Sequence, residues 1–123
     1  YGEWPGMLIQ RLQKGLCSPD PDRISNRIHR DDLAGIMAFC LRRLEQGETN
    51  DPVYIASDQR PSQVGEVEAW LIKRLGLSAM KGVATSRLAN RRCSSQLLRS
   101  AGYRFNYPDY QTGFSALMAQ HLP

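Results

Sequence analysis

The strongest constraint on the fold is a helical pattern between Asp31 and Glu45. Apolar residues recur there with the i, i+3, i+4, i+7 spacing of one helix face, and they are Leu33, Ile36, Met37, Cys40, Leu41 and Leu44. Asp31 and Asp32 precede the pattern, where a carboxylate accepts from unpaired first-turn amides and suits the positive end of the helix dipole. We therefore predict a central helix over Asp31–Glu45 that buries this apolar face.

Similar signals predict further helices along the chain. The first is expected over Met7–Lys14, with a stop at Gly15. The next is expected over Gln63–Leu75, with Ser62 as its cap and Gly76 past its end. Two more are expected between Ser94 and Gly102 and after Asp109. The helix before Gly76 has its apolar face at Val64, Val67, Leu71 and Leu75, and the last helix has its own at Tyr110, Phe114, Leu117 and Met118.

Short extended segments separate these helices. Strands are predicted over Ile24–His29 and Pro52–Ser57, an extended run over Tyr103–Phe105, and an irregular connection over Leu77–Ala89. The chain is therefore expected to be α/β, a single domain over residues 1–123, helix-rich with a few short strands.

Composition excludes several classes of protein. Of 123 residues, 41% are hydrophobic, which is enough for a core, yet no apolar run reaches the roughly 20 residues of a membrane span. No signal peptide is visible, and a start at Tyr1 rather than Met predicts a fragment, a processed chain or a trimmed one. Three widely spaced cysteines give no zinc or disulfide pattern and fit reduced thiols in the cytoplasm. A net charge of +4 fits either a solvated surface or attraction to phosphate.

The chain also resembles a known family in several spaced motifs. Ile28-His29 followed by Asp32-Leu33-Ala34 is similar to the strand–His–helix signature of extended short-chain dehydrogenases/reductases, the NAD-dependent epimerase/dehydratase family. Further similar features follow in the family's order: Val53–Ala56, Pro61, Glu66-Val67, Leu75-Gly76, Arg92, Ala101-Gly102-Tyr103, Tyr107-Pro108 and Gly113.

The resemblance implies the C-terminal, substrate-binding part of a Rossmann-type NAD(P)-binding fold. The Gly-rich phosphate turn and the family's Tyr-x-x-x-Lys pair are absent from the sequence, so no catalytic, cofactor-binding or metal-binding residue is assigned. NAD or NADP is expected in the parent protein, held by a missing N-terminal dinucleotide-binding domain. The chain alone is expected to be inactive.

The candidate substrate-binding residues are Trp4, Asn26, Arg27, His29, Arg91 and Arg92. Each has an alternative role: His29 as a structural hydrogen-bonding residue, the Arg91–Arg92 pair as solvated or salt-bridged, and Trp4 as a hydrophobic plug. Sugar-nucleotide members of the family carry an Arg where this chain has Ser25. Either Arg27 substitutes for it, or the substrate is another sugar-like or small polar molecule.

Two other hypotheses belong to different classes of function. A small basic module would contact nucleic acid or an anionic partner through Arg87, Arg91, Arg92 and Arg99, but these residues are dispersed and no recognised nucleic-acid-binding pattern accompanies them. A dimerisation piece would instead associate with itself through an apolar face left bare by a missing domain.

Overall fold

Helices dominate the described part of the chain. The computed structural model describes residues 1–78 and 90–123. Its elements are, in order, α1 (Gly6–Gln13), β1 (Ile24–Ser25), α2 (Arg30–Glu45), β2 (Ser62–Gln63), α3 (Val64–Leu75), α4 (Gln96–Ser100) and α5 (Tyr110–His121). The chain is thus a helix-rich α/β mix with a small antiparallel two-stranded sheet, in which Ile24 pairs with Gln63 and Ser25 with Ser62.

The predicted helices are confirmed, with boundaries that move by one or two residues. The turns after α1 and α3 use glycine as expected, because Gly15 and Gly76 have φ of 72° and 63°, a left-handed conformation that favours glycine. The predicted cap at Ser62 is wrong. Gln63 stands at that position without a side-chain hydrogen bond, while Ser62 is buried in β2.

The strand predictions differ more from the structure than the helix predictions do. Only Ile24–Ser25 of the predicted strand forms a strand ladder. The residues that follow instead make single main-chain hydrogen bonds to two different parts of the chain. The carbonyl of Arg27 accepts from the Asp58 amide at 2.6 Å, and the carbonyl of Ile28 accepts from the Tyr1 amino group at 3.0 Å. The segment 52–57 and the run 103–105 join no strand ladder among the described residues.

The chain divides into two compact units, and the two-stranded sheet belongs to unit 2. This unit comprises Glu3–Ser25 and Pro61–Arg92. Its apolar centre is formed by α1 and α3, whose buried residues are Ile9, Leu12, Val64, Val67 and Leu71. Glu68 of α3 is also buried, and both its carboxylate oxygens accept from the Ser18 amide at 3.0 Å. That bond holds the loop after α1 against α3.

Unit 1 comprises Tyr1–Gly2, Asn26–Arg60 and Cys93–Pro123. Ile36, Leu98 and Tyr103 form a buried cluster, and partly buried neighbours pack on it, namely Ile28, Phe39, Cys40, Tyr54, Ala56 and Phe105. The apolar face predicted for α5 is confirmed, since Tyr110, Phe114, Leu117 and Met118 are all buried.

The apolar face predicted for α2 is largely wrong. Ile36 is buried and Cys40 is partly buried, but Leu33, Met37, Leu41 and Leu44 are 42%, 63%, 62% and 58% exposed. The helix turns Asp32 and Ile36 inward instead, because Asp32 collects hydrogen bonds from a distant loop. We call the four exposed residues the α2 stripe.

Within the described residues, no helix is both long and apolar enough to cross a membrane. The predicted connection over 77–89 lies mostly outside the described residues.

Candidate functional site

Buried polar groups converge in unit 1 on the segment that leads into α2. The segment 26–29 is tied to Asp58 through the Arg27 carbonyl and to Tyr1 through the Ile28 carbonyl. His29 and Asp58 are each only 2% exposed. Because burying such groups costs free energy unless they are well paired, their partners decide what the site can do.

His29 is the N-cap of α2, although sequence reasoning assigned capping to the two aspartates. Its Nδ1 accepts from the Asp31 amide at 3.2 Å, so a neutral imidazole carries its proton on Nε2. Burial lowers the pKa of His29, which favours this neutral form. Nε2 is buried and has no hydrogen-bond partner within the described part of the chain.

Aromatic rings fix the orientation of the His29 imidazole. Tyr107 lies 4.0 Å away between ring centroids, and Tyr1 meets the imidazole edge-on at 5.2 Å. Tyr1 is itself stacked on Phe114 at 4.6 Å. The Nε2–H group, which has no partner in residues 1–78 and 90–123, therefore lies among packed aromatic rings, which is unusual for a residue with only a structural role.

Tyr1 connects this surround to acidic groups. Its hydroxyl donates to the Asp109 carbonyl at 3.3 Å, and its ring lies so close to Gly113 that a Cβ there would collide with it. Burial raises the pKa of the Tyr1 hydroxyl well above its ordinary value, and the nearby charges of Asp58 and Asp109 raise it further. The hydroxyl is thus a neutral donor.

The carboxyl group of Asp58 has a pKa well above its ordinary value. Burial raises its pKa to about 6, against the lowering effects of a hydrogen bond from the Arg60 amide and of the Arg27 charge. The Asp109 charge nearby adds to the rise. A carboxyl of this pKa exchanges a proton close to neutral pH.

Asp32 plays a different role from the capping role predicted for it. Its carboxylate accepts from the Tyr103 hydroxyl at 2.9 Å, the Asn106 amide at 2.8 Å and the Tyr107 amide at 2.9 Å. Burial and this hydrogen bond raise the pKa of Tyr103, which keeps the phenol protonated as a donor. Asp32 therefore positions the loop that carries Tyr107 against His29.

The predicted site residues are divided between the two units. Asn26, Arg27 and His29 belong to unit 1, where the exposed Asn26 side chain accepts from the Cys93 amide at 2.8 Å. Trp4, Arg91 and Arg92 belong to unit 2.

The arginines of the nucleic-acid hypothesis are exposed wherever the structure describes them. Arg92 is exposed and donates from Nη1 to the Pro61 carbonyl at 2.7 Å. Arg91 and Arg99 are exposed as well, while Arg87 lies outside the described residues.

Sequence reasoning missed Tyr1, Asp58 and Asp109 as members of the site, and it interpreted Asp58 only as the start of a turn. One usable signal existed for Asp58: it follows the apolar run Val53–Ala56, and a polar residue just past such a segment often faces a site. No local signal marked Tyr1, whose partners lie 27 and 108 positions away.

An open pocket of about 270 Å³ lies at the other end of α2, lined by Arg43, Thr49, Asn50, Asp51, Tyr54, Leu97, Ser100 and Ala101. The positively charged side chain in this lining, Arg43, already has partners. It donates to the carbonyls of Thr49 and Ala101 and pairs with Glu48 at 2.6 Å. This pocket is therefore weaker as a site for an anion than the His29 region.

Among residues 1–78 and 90–123, no group of three or more potential ligand side chains could hold a metal ion. Comparisons with protein-family models, curated proteins and solved structures find no match for the chain.

Proposed function

We propose that this chain is the substrate-binding segment of an NAD(P)-dependent epimerase, dehydratase or reductase, the C-terminal part of a Rossmann-type fold. The proposed substrate is sugar-like or another small polar molecule. The observation that carries the proposal is the polar centre of the partly buried Arg27 and the buried His29 and Asp58, at the junction that resembles the family signature. The order of the motifs along the chain supports the family of enzyme.

The chemistry of this centre supports binding more than structural stability. Buried groups with shifted pKa values cluster at functional sites more often than elsewhere. Asp58 has its pKa raised to about 6, and the His29 Nε2–H lacks a partner among the described residues. A substrate hydroxyl or carbonyl oxygen would satisfy that donor, while the Arg27 guanidinium suits an anionic group.

A further feature fits docking of a neighbouring, cofactor-carrying domain. Exposure alternates along the segment 52–57, with Val53 and Ile55 71% and 48% exposed while Tyr54 and Ala56 pack on the core cluster. It has no ladder partner within the described residues. Unpaired apolar edges of this kind are usually covered by another segment, and the proposed domain would cover this one.

The cofactor would be bound by that neighbour. This sequence has neither a Gly-rich turn at a helix N-terminus nor a Tyr-x-x-x-Lys pair, so it does not fit a nicotinamide dinucleotide on its own. The role left to this chain is to bind and orient substrate. We include a cytoplasmic location in the proposal, since widely spaced thiols remain reduced there.

The coding sequence upstream of Tyr1 gives the most direct test. It should encode a βαβ unit with a Gly-rich turn and a Tyr-x-x-x-Lys pair, and an upstream region without them would remove the basis of the proposal. The chain alone, mixed with NAD(P) and a panel of sugars and sugar nucleotides, should give no change in nicotinamide absorbance. Turnover by the isolated chain would contradict the assignment.

Substitutions in the longer protein test the site itself. Arg27→Ala should raise KM for the accepted substrate about tenfold, because a charge-assisted hydrogen bond contributes roughly 1.5–3 kcal/mol. Arg42→Ala is the matched control, an exposed arginine on α2, and should leave KM unchanged. Equal effects of both changes would contradict a role for Arg27 in binding.

The nucleic-acid hypothesis stays a prediction with its own test. Retention of the chain on immobilised DNA, falling steeply as salt rises, would support it in place of the enzyme segment.

A further inference from the structure

The pocket at the Arg43 end of α2 is lined entirely by residues of unit 1, and the α2 stripe contributes none of them. Its volume of about 270 Å³ is close to the lower limit of small-molecule sites in proteins. This space would hold about nine water molecules at their liquid volume, which is enough for one sugar ring with its hydroxyl groups. The pocket is therefore of the right size for a small polar molecule.

One wall of the pocket is held in place by Arg43. Its guanidinium donates from Nε to the Asn50 side chain at 3.1 Å, and from Nη1 and Nη2 to the carbonyls of Ala101 and Thr49 at 3.2 Å and 2.8 Å. Glu48 pairs with the same guanidinium at 2.6 Å. Arg43 thus joins α2 to the loop that follows it and to the end of α4, and most of its donors are already used within the chain.

Several other polar groups of the lining remain available to a ligand. The Asp51 carboxylate and the hydroxyls of Thr49 and Ser100 make no hydrogen bond within residues 1–78 and 90–123. The Tyr54 hydroxyl accepts from the Asp51 amide at 3.1 Å, which leaves its own proton to donate. A ligand with several hydroxyl groups suits this set, because each hydroxyl can donate to the carboxylate and exchange hydrogen bonds with the other groups.

The end of α4 adds an apolar contact to these polar groups. Leu97 and Ala101 are four residues apart and so share one face of the helix end with Ser100. Leu97 is 54% exposed, whereas the neighbouring Leu98 is buried in the core cluster. An apolar side chain beside hydrogen-bonding groups is complementary to a sugar ring, which has C–H groups on its faces and hydroxyl groups around its edge.

The charges of the lining disfavour an ionic ligand. An anion would meet the Asp51 carboxylate, and the positive charge of Arg43 is already paired with Glu48. A cation would be attracted to Asp51 but would also meet the Arg43 guanidinium. Because contact between like charges is unfavourable, a neutral ligand fits this lining best.

We propose that this pocket binds a neutral polyol of about the size of one sugar ring. Asp51, Thr49 and Ser100 exchange hydrogen bonds with its hydroxyl groups, and Leu97 packs against its apolar face. The wall fixed by Arg43 loses little freedom when the ligand binds, which lowers the entropic cost of binding. The inference does not rest on the proposed function, because the pocket shares no lining residue with the His29 site.

Titration of the isotope-labelled 123-residue chain with D-glucose, followed by amide chemical shifts, tests the proposal. We expect saturable shifts centred on Asp51, Ser100 and Ala101. The dissociation constant should be millimolar, as is typical of a ligand with about twelve non-hydrogen atoms in an open pocket. No saturable shift at tens of millimolar would overturn the proposal. Shifts centred on His29 and Tyr107 would assign the sugar to the substrate site proposed above and equally overturn it.

Two charged probes test the charge of the ligand. D-glucose 6-phosphate and D-glucosamine should each bind less tightly than D-glucose, because each meets a like charge in the lining. Tighter binding of the phosphate would assign the pocket to an anion held by Arg43, and tighter binding of the amine would assign it to a cation held by Asp51. Either result would overturn the proposal.

Substitutions in the lining test the named contacts. Asp51→Ala should raise the dissociation constant for D-glucose about tenfold, because a charged hydrogen-bond acceptor is lost. Leu97→Ala should raise it about threefold through the loss of apolar contact. The matched controls are Asp22→Ala, an exposed aspartate of unit 2, and Leu16→Ala, a leucine of unit 2 that is 51% exposed.

Neither control should change the binding of D-glucose, and circular dichroism should show that all the variants keep the helix content of the unaltered chain. Binding that is unchanged by both lining substitutions would overturn the proposal, as would equal weakening by a lining substitution and its control.

Discussion

Two fully buried carboxylates of unit 1 have very different surroundings. Asp32 is 0% exposed and accepts from one hydroxyl and two main-chain amides of the loop 103–107. Asp58 is 2% exposed, and its side chain accepts from the Arg60 amide. The two groups are equally buried and differ in the donors that replace water.

This difference shows why burial alone does not define a site. Asp32 accepts hydrogen bonds from three residues of the loop 103–107, so it acts as a clamp between α2 and that distant loop. At Asp58 desolvation by burial prevails, and the pKa of its carboxyl rises to about 6. Asp58 is therefore the carboxyl that is ready to exchange a proton near neutral pH, and Asp32 is the one that supports the site.

The largest expected effect comes from removing the clamp. Asp32→Ala should lower the free energy of unfolding by about 4 kcal/mol, because hydrogen-bond donors from three residues lose a buried acceptor. Urea denaturation measures this as a lower midpoint. Asp31→Ala is the control: Asp31 is exposed, with its side chain 55% accessible, and its loss should change stability by less than about 0.5 kcal/mol. Equal effects would contradict the clamp.

The next effect depends on pH and tests the contrast with Asp58. Its carboxyl has a pKa of about 6 in the folded state against an ordinary 3.8. The unfolded chain therefore loses this proton first as pH rises, and the folded state loses stability between about pH 4 and pH 6. A difference of this size corresponds to about 3 kcal/mol.

Asp58→Asn should abolish that loss, since the amide oxygen still accepts from Arg60 but cannot ionise. The measurement is the difference in unfolding free energy between the variant and the unaltered chain across this pH range. The variant should be the more stable above pH 6 and similar below pH 4. A pH-independent difference would show that Asp58 has an ordinary pKa.

Sequence reasoning performed well where one helix face determined the answer. The face of α5 was predictable because its four apolar residues face a single core. The glycines that end α1 and α3 were predictable because few other residues adopt a left-handed turn. These features depend on local geometry alone.

The face of α2 could not be predicted in the same way. Its apolar spacing favours burying Leu33 and Met37, yet the helix is turned by Asp32, whose donors lie more than 70 positions along the chain. The site shows the same limit. His29 and Arg27 were identified from the motif, whereas Asp58 and Tyr1 join them through contacts that no local pattern encodes.

A smaller effect is expected from the packing of Tyr1 against α5. Gly113→Ala should destabilise the fold by about 2 kcal/mol, because the new Cβ collides with the Tyr1 ring in a packed region. The same change in a Tyr1→Phe background should be less harmful, since the hydroxyl oxygen is the nearest colliding atom. A double-mutant cycle with urea denaturation measures the coupling, and strict additivity would contradict the contact.

The smallest effect concerns Asp109, a partly exposed carboxylate that lies between the two extremes. Its Oδ1 caps α5 by accepting from the Thr112 amide at 2.7 Å and the Thr112 hydroxyl at 2.8 Å. Asp109→Ala should lower stability by about 1 kcal/mol, the usual loss for an N-cap, whereas Asp109→Asn should retain the cap.

The Asn variant should nevertheless lower the pKa of Asp58, because the charge of Asp109 helps to raise it. The pH at which Asp58 affects stability should then shift downward while overall stability at low pH stays unchanged. A shift with Ala but not with Asn would mean that helix capping, and not charge, couples the two carboxyls.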